Sequence, residues 1–106
     1  MITDKKHNAD DILKNHWESL TFAEFLKDIR ESDEISQAEL ARRLGKTRQF
    51  IQAVEVGRTN VSLEMAKRIA EALEHFPEPF VEVLVNEMVR KIGIKKALKF
   101  EHKKAA

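Results

Sequence analysis

Apolar positions recur at spacings of three to four residues along most of this chain, the pattern of amphipathic helices rather than of strands. Residues that favour helix N-termini precede the apolar runs, and glycines or prolines follow several of them. Residues 1–9 are polar and are predicted to be disordered. Together these signals predict helices at about 10–20, 21–32, 36–44, 47–56, 62–73 and 79–92.

Two of the predicted helix starts carry a specific signature. Thr21 with Glu24, and Ser36 with Glu39, have the spacing of a capping box, in which each side chain accepts a hydrogen bond from the other residue's backbone N–H. Gly45 follows the second of these helices and is expected to close it at a positive φ.

The C-terminal part of the pattern is less regular. Two prolines within residues 76–79 predict a turn that ends one helix and precedes the next. Gly93 is predicted to end the last helix. Residues 94–100 fit either a helical continuation or a short edge strand, and residues 101–106 are predicted to be a solvated tail.

The segment from Ser36 to Gly57 has the arrangement of a helix-turn-helix. A capped eight-residue helix, a short turn containing Gly45 and a second helix of about nine residues follow one another. Ala41 lies in the middle of the first helix, where a close helix crossing requires a small side chain. The free face of the second helix is then expected to enter a DNA major groove about 12 Å wide.

A helical wheel selects the side chains of the second helix that face away from its apolar side. Arginine can pair with guanine, glutamine with adenine, and a small apolar side chain can contact the thymine methyl group. The predicted base-contacting residues are Arg48, Gln49, Gln52 and Ala53, and Val56 is the alternative to Ala53 for the contact with the thymine methyl group.

Composition limits the alternatives. The 106 residues suffice for one domain, and with no cysteine there is no disulfide or thiolate site. No apolar run is long enough to cross a membrane, and we expect a cytoplasmic protein. The four histidines are scattered, and no metal spacing, phosphate loop or catalytic triad is visible. We therefore predict no metal, no cofactor and no enzymatic activity.

Charge is distributed unevenly along the chain. Residues 1–35 have a net charge of −4, residues 36–73 of +3 and residues 74–106 of +2. A basic central segment beside an acidic N-terminal segment favours different partners for different surfaces, although solvated helix faces would give a similar distribution. The overall net charge of only +1 argues against non-specific coating of DNA.

Residues 22–73 resemble the Cro/C1-type helix-turn-helix regulators, the XRE family. The runs that carry the resemblance are Ser36–Gly45, Thr47–Glu55 and Gly57–Arg58. The resemblance implies an all-α, lambda-repressor-like five-helix DNA-binding domain, here with an extra N-terminal helix and a short C-terminal tail or strand. Residues 1–20 would form an acidic extension, 21–76 the helix-turn-helix domain, and 77–106 a dimerisation helix with its tail.

The resemblance also assigns roles to individual residues. Arg30 and Glu55 match a buried ion pair that ties the first helix of the domain to the recognition helix. Gln37, Thr47, Arg58 and Asn60 match positions that face DNA. Basic residues around the motif are further candidates for phosphate contacts. The complete set of predicted phosphate-contacting residues is Gln37, Arg42, Arg43, Lys46, Thr47, Arg58 and Asn60.

The last predicted helix has an apolar arc too wide for one neighbour, which predicts a two-fold homodimer. The residues assigned to that interface are Phe80, Val81, Leu84, Val85 and Met88. Covering of the monomer's own core is the alternative role of this arc.

Two functions stay open at this stage. The first is a dimeric repressor that reads a symmetric operator in double-stranded DNA. The second is an antitoxin that binds a partner toxin and represses its own operon. The acidic segment 1–35 bears on this choice, because Trp17 either grips a basic partner or packs inward on the domain.

Overall fold

The computed structural model describes residues 20–94 and 98–99. Five α-helices lie within these residues: α1 (Phe22–Ser32), α2 (Gln37–Leu44), α3 (Arg48–Glu55), α4 (Leu63–Ala72) and α5 (Pro77–Lys91). The prediction of an all-α, five-helix domain is therefore confirmed. The helix predicted at 10–20 lies outside the described residues, as does most of the segment from 95 to 106.

The helix starts follow the predicted capping residues, with one difference. At α1 both halves of the box form: the Glu24 amide donates to Thr21 Oγ1 at 3.1 Å, and the Thr21 amide to Glu24 Oε1 at 3.2 Å. At α2 the Glu39 amide donates to Ser36 Oγ at 3.0 Å. The Glu39 carboxylate, however, binds two arginines of its own helix instead of completing the box.

Backbone conformation ends α1 and α2 in different ways. Gly45 closes α2 with a φ of +70°, as predicted. Beyond α1, Glu34 adopts a φ of +60° although it carries a side chain. A left-handed conformation costs an L-residue roughly 1–2 kcal/mol, so Glu34 lies in a strained turn that glycine would occupy freely.

The prediction of a turn at residues 76–79 is wrong. The helix α5 begins at Pro77, so both prolines lie in its first turn. The N–H groups of that turn have no partner within the helix, and proline therefore removes no hydrogen bond there. Its fixed φ also suits a helix start.

The core forms where α5 packs against α1 and α4. The Phe80 ring meets the Phe25 ring edge-on, with 4.8 Å between centroids, and both side chains are fully buried. Leu84 is only 6% exposed. Phe80 and Leu84, two of the five predicted interface residues, therefore lie in the core, because α5 is needed to cover α1.

Asn86 of α5 forms hydrogen bonds with Leu98, in the part of the chain that follows this helix. Asn86 is buried, its Oδ1 accepts from the Leu98 amide at 2.7 Å, and its Nδ2 donates to the Leu98 carbonyl at 3.0 Å. Ile94, Leu98 and Lys99 have no regular secondary structure. Among the described residues, no helix is long and apolar enough to cross a membrane.

Candidate nucleic-acid interface

The helix α3 is held by α1 and α2 and keeps its outer face exposed. Thr47 caps this helix, its Oγ1 accepting from the Phe50 amide at 3.1 Å. Three of the predicted base-contacting residues are exposed on α3: Arg48, Gln49 and Gln52. Their guanidinium and amide groups are the types that form paired hydrogen bonds with base edges.

Ala53 does not share this exposed face, contrary to the helical-wheel prediction. It is only 9% exposed. Its carbonyl accepts hydrogen bonds from the amides of Arg58 at 2.8 Å and Thr59 at 3.3 Å. These two hydrogen bonds close the C-terminal end of α3, whereas the burial of the Ala53 side chain depends on the packing of α3 in the domain, which a wheel drawn for an isolated helix cannot reveal. Val56, at the end of α3, is 60% exposed and is the better-placed apolar group.

A buried ion pair fixes α3 to α1. Arg30 Nε lies 2.6 Å from Glu55 Oε2, and Arg30 Nη2 lies 2.9 Å from Glu55 Oε1. The Arg30 and Glu55 side chains are 9% and 2% exposed. The hydrogen bond to Glu55 raises the pKa of Arg30 against the opposing effect of burial. The resemblance implied this pair, and the structure places its two residues together.

Gln37 connects the ion pair to the exposed face of α3. Its Nε2 donates to Glu55 Oε1 at 3.0 Å, and its Oε1 accepts from Arg48 Nη1 at 3.0 Å. A continuous network therefore runs from buried Arg30 to exposed Arg48. Sequence reasoning assigned Gln37 to a phosphate and missed this role, since nothing in the local pattern links residues eleven positions apart across a turn.

Arg42 and Arg43, two further predicted phosphate-contacting residues, both bind the Glu39 carboxylate. Arg42 donates to Glu39 through Nε at 3.0 Å and Nη2 at 2.5 Å, and Arg43 donates through Nε at 2.9 Å. These hydrogen bonds lower the pKa of Glu39 to about 2, so the carboxylate stays charged even in acid. Arg43 also donates to the Ala72 carbonyl at 2.8 Å, which holds it against α4.

The remaining predicted phosphate-contacting residues surround α3. Lys46 and Thr47 precede this helix, whereas Arg58 and Asn60 follow it, and all four are exposed. The Lys46 ammonium lies 5.4 Å from the centre of the Phe50 ring, close enough for a cation–π contact. Exposed cations and amides are thus present on both sides of the α3 face.

Comparison with known proteins agrees with this geometry. The sequence model of the helix-turn-helix family matches residues 26–77. A protein of Methanothermobacter thermautotrophicus, named an uncharacterized HTH-type transcriptional regulator, is 45% identical over 58 residues, which cover 53% of this chain and 84% of that protein. The chain belongs to the Cro/C1-type helix-turn-helix family. No solved structure matches this helix-turn-helix protein.

The family match covers only part of this helix-turn-helix regulator. It begins within α1 and ends at Pro77, the first residue of α5. The exposed face of α3 and the buried ion pair lie inside the matched range, whereas nearly all of α5 and the N-terminal segment lie outside it. Within residues 20–94 and 98–99, no group of three His, Cys, Asp or Glu residues could hold a metal ion.

Proposed function

We propose that this helix-turn-helix regulator is a dimeric, cytoplasmic repressor that reads a two-fold symmetric operator through the major groove. The observation that carries the proposal is the exposed α3 face, on which Arg48 is held by Gln37 beside two further glutamines. The function is one of binding, without catalysis.

Arg48 is the residue best prepared to read a base. Its hydrogen bond to Gln37 uses one of its five N–H donors, and the other donors remain for a base. Because Gln37 is itself held by Glu55, the guanidinium loses less conformational freedom on binding than a free arginine. We infer that Arg48 contacts guanine O6 and N7, a pairing worth about 1–3 kcal/mol of discrimination.

Phosphate contacts would position α3 without selecting sequence. Lys46, Thr47, Arg58 and Asn60 are the candidates with exposed side chains on either side of that helix. Gln37 can take part as well, because its Nε2 carries a second N–H beyond the one given to Glu55. Arg42 and Arg43 would contribute less, since Glu39 balances part of their charge.

The proposed dimer forms through an exposed stripe on α5. Val81, Val85, Met88 and Ile92 follow each other at spacings of four, three and four residues, the repeat that packs helices side by side. Val81 and Val85 are half-buried, Met88 is 45% exposed and Ile92 is 75% exposed. A two-fold axis through this stripe would present two α3 helices to half-sites about 34 Å apart.

Selection from a random duplex library tests the proposal, with affinities measured by fluorescence anisotropy at two salt concentrations. We expect an enriched palindrome whose half-sites are separated by one helical turn. Its affinity should exceed that for random DNA at the higher salt concentration as well. Failure to enrich any site would contradict sequence-specific reading.

Two matched alanine variants separate base reading from phosphate binding. Arg48→Ala is expected to relax the preference at one base pair in each half-site. Because both half-sites lose a pairing worth about 1–3 kcal/mol, specific binding should weaken roughly 30-fold or more. Lys46→Ala should weaken all sequences equally and reduce the salt dependence by about one phosphate in each half-site. An unchanged base preference in Arg48→Ala would refute the assignment of this residue.

A second candidate function is the antitoxin role, for which the C-terminal surface provides the supporting observation. Ile92, the last residue of the α5 stripe, is 75% exposed, and Ile94 and Leu98 beyond it add further apolar side chains that are 48% and 47% exposed. Such surfaces favour a protein partner. Co-expression with the product of the adjacent gene tests this role. A stable complex, and restored growth of cells that this product otherwise arrests, would support an antitoxin. A simple repressor would give neither result.

A further inference from the structure

A groove of about 280 Å³ lies between α1, α5 and the loop that follows α3. Its floor is apolar and is formed by core residues, including Phe22, Val54 and Leu84. Met88 and Lys91 line the α5 side, and Met88 is 45% exposed. An apolar floor with a polar rim is the usual character of a binding site, so the occupant should be an apolar group with a polar edge.

The N-terminal segment joins the domain beside this groove. Leu20 is 4% exposed, and its carbonyl accepts from Arg90 Nη2 of α5 at 2.7 Å. Two residues later the Phe22 amide donates to Glu87 Oε1 at 2.8 Å. Phe22 and Glu87 both line the groove. Residues 1–19 are therefore joined to the chain at the point where α1 meets the C-terminal half of α5.

We propose that Trp17, in the N-terminal segment, inserts into this groove. Leu20 lies three positions further along the chain, a span of at most about 11 Å, so the Trp17 indole remains near the groove wall. In the helix predicted for residues 10–20, Trp17 lies one turn before Leu20 on the same face. Leu20 is buried, so a helix that carries Trp17 on the same face as Leu20 would direct the indole towards the domain.

The chemistry of the groove matches an indole. Tryptophan combines a large apolar body with one N–H donor that seeks an acceptor when it is buried. Glu87 and Asn60 line the groove and supply carboxylate and amide oxygens.

The insertion would connect the N-terminal segment with the DNA-facing side of the domain. One wall of the groove is formed by Gly57, Thr59, Asn60 and Val61 of the loop after α3. Trp17 then braces the loop that carries the proposed phosphate contacts. An N-terminal segment docked in this way is part of the fold, and its Trp17 is not available to bind another protein.

Trp17 is the chain's one tryptophan, so intrinsic fluorescence of the full chain reports its surroundings directly. We expect emission at a shorter wavelength than in the urea-unfolded chain and several-fold weaker quenching by acrylamide. The variant Ala23→Glu places a charge on the groove wall and should abolish both effects. Its matched control is Ala38→Glu, which makes the same change at the same position of α2, outside the groove, and should preserve both.

Three outcomes would overturn the proposal while circular dichroism shows a folded chain. Emission and quenching equal to those of the unfolded chain would show that Trp17 is in water. If Trp17 is protected but its emission and quenching are unchanged in Ala23→Glu, Trp17 is buried elsewhere. Protection that disappears on dilution to monomers would place Trp17 against a second copy instead.

Discussion

Removal of the Arg30 guanidinium is expected to destabilise the fold far more than removal of an ordinary surface charge. Arg30 gives two hydrogen bonds to Glu55, at 2.6 and 2.9 Å, and a third from Nη1 to the Ile35 carbonyl at 2.7 Å. Arg30→Met keeps the apolar stem but leaves the Glu55 carboxylate buried, with its hydrogen bond from Gln37 but without the neutralising guanidinium. An uncompensated buried charge costs about 3–5 kcal/mol, a large share of a domain's stability.

Urea unfolding followed by circular dichroism measures this loss. With a denaturant dependence of about 1.5 kcal/mol/M, a loss of 3 kcal/mol lowers the unfolding midpoint by about 2 M. The control is Lys67→Met, which removes an exposed cation 4.0 Å from Glu71 on α4 and should cost less than about 1 kcal/mol. A loss in Arg30→Met no larger than in this control would refute the reasoning.

A double variant tests whether the cost comes from the unpaired charge. Arg30→Met combined with Glu55→Met removes both charges from the interior and replaces them with apolar side chains. Replacement of a buried pair in this way is often close to neutral, so the double variant should recover much of the stability lost in the single variant. Losses that simply add would show that the carboxylate is not the source of the cost.

Four other changes give independent tests. Glu39→Gln removes the carboxylate charge that Arg42 and Arg43 share. In anisotropy titrations it should tighten binding to random DNA and steepen the dependence of that binding on salt concentration. An unchanged salt dependence would exclude these arginines from phosphate contact. Glu34→Gly relieves a φ of +60° and should stabilise the chain by about 1 kcal/mol in urea, whereas Gly45→Ala, at +70°, should cost about as much. Met88→Glu should give folded monomers, and a dimer that persists in sedimentation would contradict the proposed interface.

Local sequence signals predicted most of the secondary structure. Thr21, Ser36, Thr47 and Ser62 each cap a helix by accepting a hydrogen bond from a backbone amide three residues later. These interactions lie within a few residues of chain, so the sequence pattern contains all the information they need. The start of α5 was misplaced because proline was interpreted as a breaker, although it also suits the first turn of a helix.

The candidate site was predictable only in part. The exposed positions of Arg48, Gln49 and Gln52 follow from helical periodicity, which depends on the helix alone. The burial of Ala53 does not, because it depends on how α3 packs in the domain. The hydrogen bond between Gln37 and Arg48 also depends on the crossing of two helices.

The sequence by itself determined the helices of this protein, their caps, its family and the face that α3 would present. Those properties depend on residue spacing and on interactions between near neighbours. The tertiary structure decided which apolar residues of α5 cover α1, and it brought Arg30, Glu55, Gln37 and Arg48 into one network. Such contacts join residues far apart in the chain, and their geometry exists only after the helices have packed.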